Sequence, residues 1–110
     1  MSPAETLRAA KALIQKPENW CQGAYVRDKT GREVAFDDPL GCQWCAEGAV
    51  YKEVDARGVL DSRASRPFIL LRDVAVKMGA TRGTKINDTT DHPTVMRMFD
   101  LAIEMAEEEE

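Results

Sequence analysis

Apolar residues recur along most of the chain at intervals of three and four positions, the spacing that builds the buried face of an amphipathic helix. Each of the four segments with this spacing follows a residue type that caps helices and a proline suited to the first helical turn. These four starts are Ser2-Pro3, Asp37-Asp38-Pro39, Ser65-Arg66-Pro67 and Asp91-His92-Pro93. We predict helices from 2 to about 15, from 38 to about 54, from 65 to 79 and from 91 onward.

The stretch between the first two predicted helices has a different pattern. Residues 20–26 alternate loosely between apolar and polar, residues 27–32 form a turn containing Gly31, and residues 34–36 are again apolar. This order is typical of a β-hairpin, which is marginal in water unless it leans on other elements. The predicted fold class is therefore mainly α (α+β), with about four helices and one small β-hairpin between helices one and two.

The remaining segments are predicted to connect these elements. Residues 55–65 contain the breakers Gly58 and Ser62, although Val59 and Leu60 could reach the core. Residues 81–90 are polar apart from Ile86 and are expected to form a loop.

Length and composition predict one domain. A chain of 110 residues with 44% apolar residues can bury one modest core. We assign residues 1–106 to a single globular domain and residues 107–110, four glutamates, to a solvated acidic tail. No apolar run approaches the roughly 20 residues of a membrane span, so the sequence predicts no membrane partner.

Charge and cysteine content narrow the partners and the compartment. The net charge is −4 and the pI is about 5.1, which argues against nucleic acid as a partner although the segment from Arg57 to Lys85 is net basic. Three cysteines are an odd number, whereas small secreted domains usually pair an even number. With no secretory signal at the N-terminus, we expect reduced thiols and a cytoplasmic location.

Two related motifs contain both tryptophans of the chain. They read Trp20-Cys21-Gln22-Gly23-Ala24 and Trp44-Cys45-Ala46-Glu47-Gly48-Ala49. Trp44, Gly48 and Tyr51 have the i, i+4, i+7 spacing of one helix face, which predicts a central buried helix. Gly48 is expected to let another backbone approach closely, and the indoles are expected to pack in the core with their N–H groups hydrogen-bonded.

These motifs resemble a small uncharacterised family of bacterial and phage proteins, classed as a domain of unknown function. The resemblance spans most of the chain and includes the two motifs, Asn87-Asp88, and a capped helix with His92 in its first turn. Cys42 lies outside the pattern, and Pro93-Thr94 departs from the more usual Ala-Glu. The resemblance supports the predicted fold and implies no activity.

The rare residues also suggest where a ligand would bind. We predict a concave site walled by Trp20 and Trp44 and rimmed by Asn87, Asp88 and His92, with Arg82 or Lys85 near its mouth. The predicted function is that of a small binding or regulatory domain, with another protein or a small anionic ligand as its partner, no cofactor and no turnover. A bacterium, phage or mobile element is its expected source.

Two chemical alternatives use the same residues. In a hydrolase or transferase, Cys45 or Cys21 would be the nucleophile, His92 the base, and Asp88 or Asp91 would orient the base. In a zinc module, Cys42 and Cys45 have ligand spacing, and Cys21 and His92 would complete a Cys3His set. Against both, a cysteine on a buried helix is usually an inert core residue, and Asn87-Asp88 is more simply a turn that bonds nearby backbone.

Overall fold

The computed structural model describes residues 2–56 and 65–110, which form five α-helices, one 3-10 turn and two short strands. The helices are α1 (Pro3–Ile14), α2 (Ala46–Ala56), α3 (Arg66–Lys77), α4 (Gly83–Thr89) and α5 (His92–Glu108); the strands are β1 (Val26–Arg27) and β2 (Gln43–Trp44), and the 3-10 turn is Pro17–Asn19. The predicted class, mainly α with a small β-hairpin between the first two helices, is confirmed. Most of the predicted 55–65 connection, including Val59 and Leu60, lies outside the described residues.

Local capping residues fix where the first and last helices begin. At α1 the Ser2 hydroxyl accepts a hydrogen bond from the Glu5 backbone N–H at 3.1 Å, and the Glu5 carboxylate accepts from the Ser2 N–H, forming a capping box. At α5 the Asp91 carboxylate accepts from the Thr94 N–H at 3.0 Å. Both starts agree with the sequence prediction.

The core lies where α1 packs against α2 and α5, and where α3 packs against α5. Its largest fully buried side chains include Phe99, Leu7, Ile14, Leu70, Leu71 and Met98. Within residues 2–56 and 65–110, no helix has both the length and the apolar character needed to cross a lipid bilayer.

The second helix begins later than the capping pattern predicts. Residues 36–41 form turns, in which the Asp38 carboxylate accepts from the Leu40 N–H at 2.8 Å and the Asp38 carbonyl accepts from the Gly41 N–H at 3.0 Å. Trp44 lies in β2, paired with Val26, so the prediction that Trp44 shares a helix face with Gly48 is wrong. The same aspartate that could cap a helix here caps a turn instead.

Gly48 itself behaves as predicted, because it lies against another segment of backbone. A Cβ placed on Gly48 would lie 2.1 Å from the carbonyl oxygen of Tyr25. Tyr25 also fixes the start of α2, because its carbonyl accepts a hydrogen bond from the Cys45 N–H at 3.0 Å. This close approach joins the strand region to α2.

Four short extended segments lie side by side in the strand region. β1 pairs antiparallel with β2, and on its other side Arg27 forms an antiparallel bridge with Glu33. The predicted turn between these segments is present, with Gly31 at φ +86°. On the far side of β2, Trp20 and Trp44 form a parallel bridge, and the Cys21 N–H donates to the Trp44 carbonyl at 3.1 Å.

The predicted loop from 81 to 90 contains the short helix α4. Its first turn is held by a distant residue, since the Glu47 carboxylate accepts from the Thr84 N–H at 3.0 Å. Ile86 and Asn87 on α4 are buried. A local pattern could not reveal this helix because α2 supplies the group that caps it.

The C-terminal glutamates are more ordered than a free tail. α5 continues to Glu108, so two of the four residues assigned to the acidic tail are helical. Glu107 pairs with Arg8 at 3.0 Å, and Glu109 pairs with Arg66. These exposed ion pairs fasten the end of α5 to α1 and α3.

Candidate functional site

Asn87 is the centre of the region that the sequence marks as unusual. It is 0% exposed, although asparagine is a polar residue. Its Oδ1 accepts from the Trp20 indole Nε1–H at 2.7 Å and from the Ala46 backbone N–H at 2.9 Å, while its Nδ2 donates to the Cys21 carbonyl and the Asp88 carboxylate, each at 3.0 Å. These four bonds use the full capacity of the amide, so Asn87 has none left for a ligand.

Neighbouring polar groups tie the first Trp-Cys motif to α4. The Asp88 carboxylate accepts from the Gly23 N–H at 3.0 Å, and Gly23 adopts a positive φ of +79°. The Gln22 side-chain amide donates to the carbonyls of Asn87 and Thr90, each at 3.0 Å. The 20–23 segment is therefore fastened to α4 by side chains from both partners.

His92 joins the ends of two helices. Its Nε2 lies 2.7 Å from the carbonyl oxygen of Ile14, the last residue of α1, and its ring meets the Trp20 indole edge-on at 5.5 Å. Since a carbonyl only accepts, Nε2 is assigned as the protonated nitrogen. This bond satisfies a carbonyl at a helix end and leaves Nδ1 as the acceptor nitrogen of the ring.

The two buried cysteines are poor nucleophiles. Burial raises the pKa of Cys45 to about 12 and that of Cys21 to about 11. The Cys45 sulfur also accepts from the Gly48 N–H at 3.3 Å. A reactive thiol needs a lowered pKa, so neither residue is prepared to attack a substrate.

The zinc alternative also lacks its geometry in the part of the chain that the structure describes. No group of three His, Cys, Asp or Glu side chains there could hold a metal ion. Of the proposed cysteine ligands, Cys21 and Cys45 are buried and Cys42 is half-buried.

The predicted ligand-binding residues lie close together in the structure, but Asn87 is buried and does not face a ligand. The rings of Trp20 and His92 are in contact, and Trp20 and Asp88 are each hydrogen-bonded to Asn87. Trp44 joins them through its backbone pairing with Trp20. Asn87 is wrong as a rim residue, because it is fully buried and all its hydrogen bonds are internal. Trp20, Trp44 and His92 are half-buried.

Three neighbouring cavities share Tyr25 and form what we call the Tyr25 groove. The first, of about 170 Å³, is lined by Tyr25, Glu47, Phe68, Ile69, Leu71, Arg72, Arg82 and Gly83. The second, of about 190 Å³, is lined by Gly23, Ala24, Tyr25, Glu33, Cys45, Arg82, Thr84 and Asp88. The third, of about 350 Å³, is lined by Tyr25, Glu33, Val34, Ala35, Phe36 and Tyr51. Of the predicted site residues, Asp88, Arg82 and the buried Cys45 line this groove.

The charges along the groove are mixed. Arg82 lies between the first and second cavities, and among the described residues its guanidinium has no hydrogen-bond or ion-pair partner. Glu33 and Asp88 line the second cavity with it. The middle of the groove therefore carries two acidic side chains against one basic side chain.

Sequence reasoning missed this groove because its walls come from five separated segments. These segments are 23–25, 33–36, 45–51, 68–72 and 82–88, and they meet only after β1 has paired and α4 has docked on α2 and α3. The one local signal was Gly48, whose lack of a side chain lets Tyr25 approach α2.

Comparison with known proteins places the chain in a family and assigns no activity. No curated protein and no solved structure matches it. A family model, described as a family of unknown function (DUF6197), matches residues 1–105. The chain therefore belongs to DUF6197, a family of unknown function.

Proposed function

We propose that this protein is a binding domain that captures another protein at the Tyr25 groove and catalyses no reaction. The observation that carries the proposal is the separation of two regions. Trp20, Trp44, Asn87 and His92 line none of the three cavities, and Asn87 makes all its hydrogen bonds inside the protein. The Tyr25 groove presents cavities at the surface, and the motif residues in its walls are Gly23, Ala24, Cys45 and Glu47.

The chemistry of the buried region supports binding over turnover. Cys45 and Cys21 have pKa values raised by burial to about 12 and about 11. The sulfur of Cys45 accepts from the Gly48 N–H and that of Cys21 donates to the Ala24 carbonyl, so neither is bonded to His92. A nucleophile with a nearby free base is the arrangement that covalent catalysis requires. These residues instead stabilise the fold.

The charges of the groove favour a protein over a small anionic ligand. Glu33 and Asp88 would repel an anion from the second cavity, where Arg82 is the one cationic side chain among the described residues that line it. A protein segment can place apolar and charged side chains in successive cavities. This suits three neighbouring cavities, of which the second is lined by charged residues and the third mainly by apolar and aromatic ones.

The setting of this function is part of the same proposal. An accessory or regulatory role in a bacterium, phage or mobile element is supported by the sequence resemblance described above. A cytoplasmic location is supported by the odd number of cysteines, all free.

Selection of peptides from a random nine-residue display library tests the proposal. The strongest selected peptide is titrated by fluorescence polarisation against the wild type, Ala24→Trp and Ala12→Trp. Ala24 lines the second cavity, whereas Ala12 is exposed on α1. We expect Ala24→Trp to weaken binding at least about tenfold, or about 1.4 kcal/mol, and Ala12→Trp to change it less than about twofold.

The proposal fails if no peptide is selected, or if the selected peptides bind Ala24→Trp as well as the wild type. A second failure would be turnover of an ester, phosphate or peptide substrate that is lost in Cys45→Ala. Ala24→Trp and Ala12→Trp are first checked for cooperative unfolding, so that a loss of binding is not mistaken for a loss of fold.

A further inference from the structure

We infer that the partner is an extended peptide segment that adds a strand to residues 33–35 and places an apolar side chain in the third cavity. We call residues 33–35 the 33–35 edge. This inference rests on the proposed function, since it specifies how the Tyr25 groove is filled. It follows from backbone direction, cavity shape and charge.

The hydrogen-bond pattern leaves the outer side of the 33–35 edge unpaired. Val34 N–H donates to the Val26 carbonyl at 3.0 Å, and Asp28 N–H donates to the Arg32 carbonyl at 2.9 Å. These two bonds flank Glu33, so its own N–H and C=O point away from β1 in the alternation of an antiparallel ladder.

Ala35 extends this outward-facing row by one donor. Its N–H has the same direction as that of Glu33, two residues earlier, while its carbonyl accepts from Asp38 N–H at 3.0 Å. Glu33 and Ala35 are both exposed. Within residues 2–56 and 65–110, no hydrogen bond occupies the Glu33 N–H, the Glu33 carbonyl or the Ala35 N–H. An extended peptide can bond to this row, because strand addition uses main-chain groups of both partners.

The third cavity lies beside this edge and supplies a pocket for a side chain. Val34, Ala35 and Phe36 form one wall, and the rings of Tyr25 and Tyr51 form another. Tyr51 is packed in turn against Phe36, with ring centroids 5.3 Å apart, and edge-on against Tyr25 at 5.5 Å. These mutually packed aromatic walls favour an apolar side chain over a polar one.

The charges next to this pocket indicate which residue of the peptide should lie beside its apolar side chain. Glu33 lines both the second and the third cavity, and no ion pair with another described residue neutralises it. Asp88 adds a second carboxylate in the second cavity, against Arg82. Alternate residues of a strand share a face, so the peptide should carry Lys or Arg two positions from its apolar residue.

The edge is also short and bears a charge, as edges that must avoid indiscriminate pairing do. Three residues can form two or three main-chain bonds, too few to hold an arbitrary strand. Specificity would then come from the apolar pocket and the acidic side chains. A second copy of this chain is the competing occupant, and the experiment separates it.

The peptides selected on the wild type provide the probe, and N-methylation of the peptide provides the main test. Single N-methyl groups are placed at each peptide amide in turn, which removes one donor without altering the protein. The Glu33 carbonyl is the one free acceptor of the edge, because the Ala35 carbonyl already accepts from Asp38 N–H. We therefore expect methylation of one peptide amide, the donor to Glu33, to weaken binding at least about tenfold, and methylation of the two adjacent amides, which face away from the edge, to weaken it little.

Amide hydrogen exchange gives an independent readout on the protein. In the complex, the exchange of the Glu33 and Ala35 N–H groups should slow at least about tenfold. Glu33→Gln should weaken the peptides that contain Lys or Arg, whereas the control Glu104→Gln on the exposed face of α5 should not.

The outcomes distinguish the two proposals. Peptides that are blocked by Ala24→Trp, but that lose no affinity on methylation of any single amide and add no amide protection, would overturn strand addition and leave the binding function intact. Peptides that Ala24→Trp does not affect would overturn the binding function itself. Protection of Glu33 and Ala35 without peptide, together with a dimeric mass in solution, would show that a second copy occupies the edge and would also overturn the inference.

Discussion

Replacement of Asn87 by alanine should be among the most destabilising single changes in this protein. The substitution removes the amide that bonds to the Ala46 N–H and the Cys21 carbonyl, both in buried surroundings. A buried polar group left unpaired costs about 1–3 kcal/mol, so the two together cost about 2–6 kcal/mol. The Trp20 indole N–H, which is half-buried, adds less because water can reach it.

A loss of this size is a large part of the total stability, which for a single domain is about 5–15 kcal/mol. Urea unfolding followed by tryptophan fluorescence measures it. With a denaturant slope of about 2 kcal/mol per M, the unfolding midpoint should fall by about 1–3 M relative to the wild type.

The chain offers a matched control in its other asparagine. Asn19 lies in the 3-10 turn, and its side chain makes no hydrogen bond with the described residues. Asn19→Ala should change the free energy of unfolding by less than about 0.5 kcal/mol. If Asn87→Ala costs no more than Asn19→Ala, Asn87 does not hold the motifs together.

Three further predictions concern packing and the thiols. Gly48→Ala should destabilise the fold by about 1–3 kcal/mol in the same assay, since its Cβ would overlap the Tyr25 carbonyl; an unchanged midpoint would contradict that contact. In the folded protein at pH 8, the half-buried Cys42 should label with a thiol reagent well before the buried Cys21 and Cys45, and equal rates for all three would show that burial does not protect them. The folded pKa of Cys45 lies above its ordinary value of 9.0, so the stability it contributes is present below pH 9 and is lost as the pH rises from about 9 toward 12. Cys45→Ala should show a smaller fall in unfolding free energy over that range, and an identical fall would contradict the raised pKa.

The sequence predicted the elements whose boundaries are set locally. Ser2 and Asp91 cap α1 and α5 with their own side chains, and the capping pattern shows this without tertiary information. α4 could not be predicted, because the carboxylate that bonds its first turn comes from Glu47 on α2. The spacing of Trp44 fits a helix as well as a strand, and its pairing with Val26 places it in a strand.

The candidate site shows the same division. The sequence indicated that the two Trp-Cys motifs, Asn87 and His92 belong together, and they do lie together. The sequence could not show that all the hydrogen bonds of Asn87 are made inside the protein. The Tyr25 groove escaped prediction because its residues become neighbours only when the chain is folded.

A single ¹H–¹⁵N titration tests most directly whether the rare residues build the scaffold while binding occurs at the Tyr25 groove. The selected peptide is added to labelled protein, and the Trp20 indole N–H, bonded to Asn87, reports on the scaffold. We predict that the backbone signals of Glu33 and Ala35 shift while the Trp20 indole signal stays in place. A large shift of the Trp20 indole signal, with Glu33 and Ala35 unmoved, would contradict this account and place the ligand at Trp20 and Trp44.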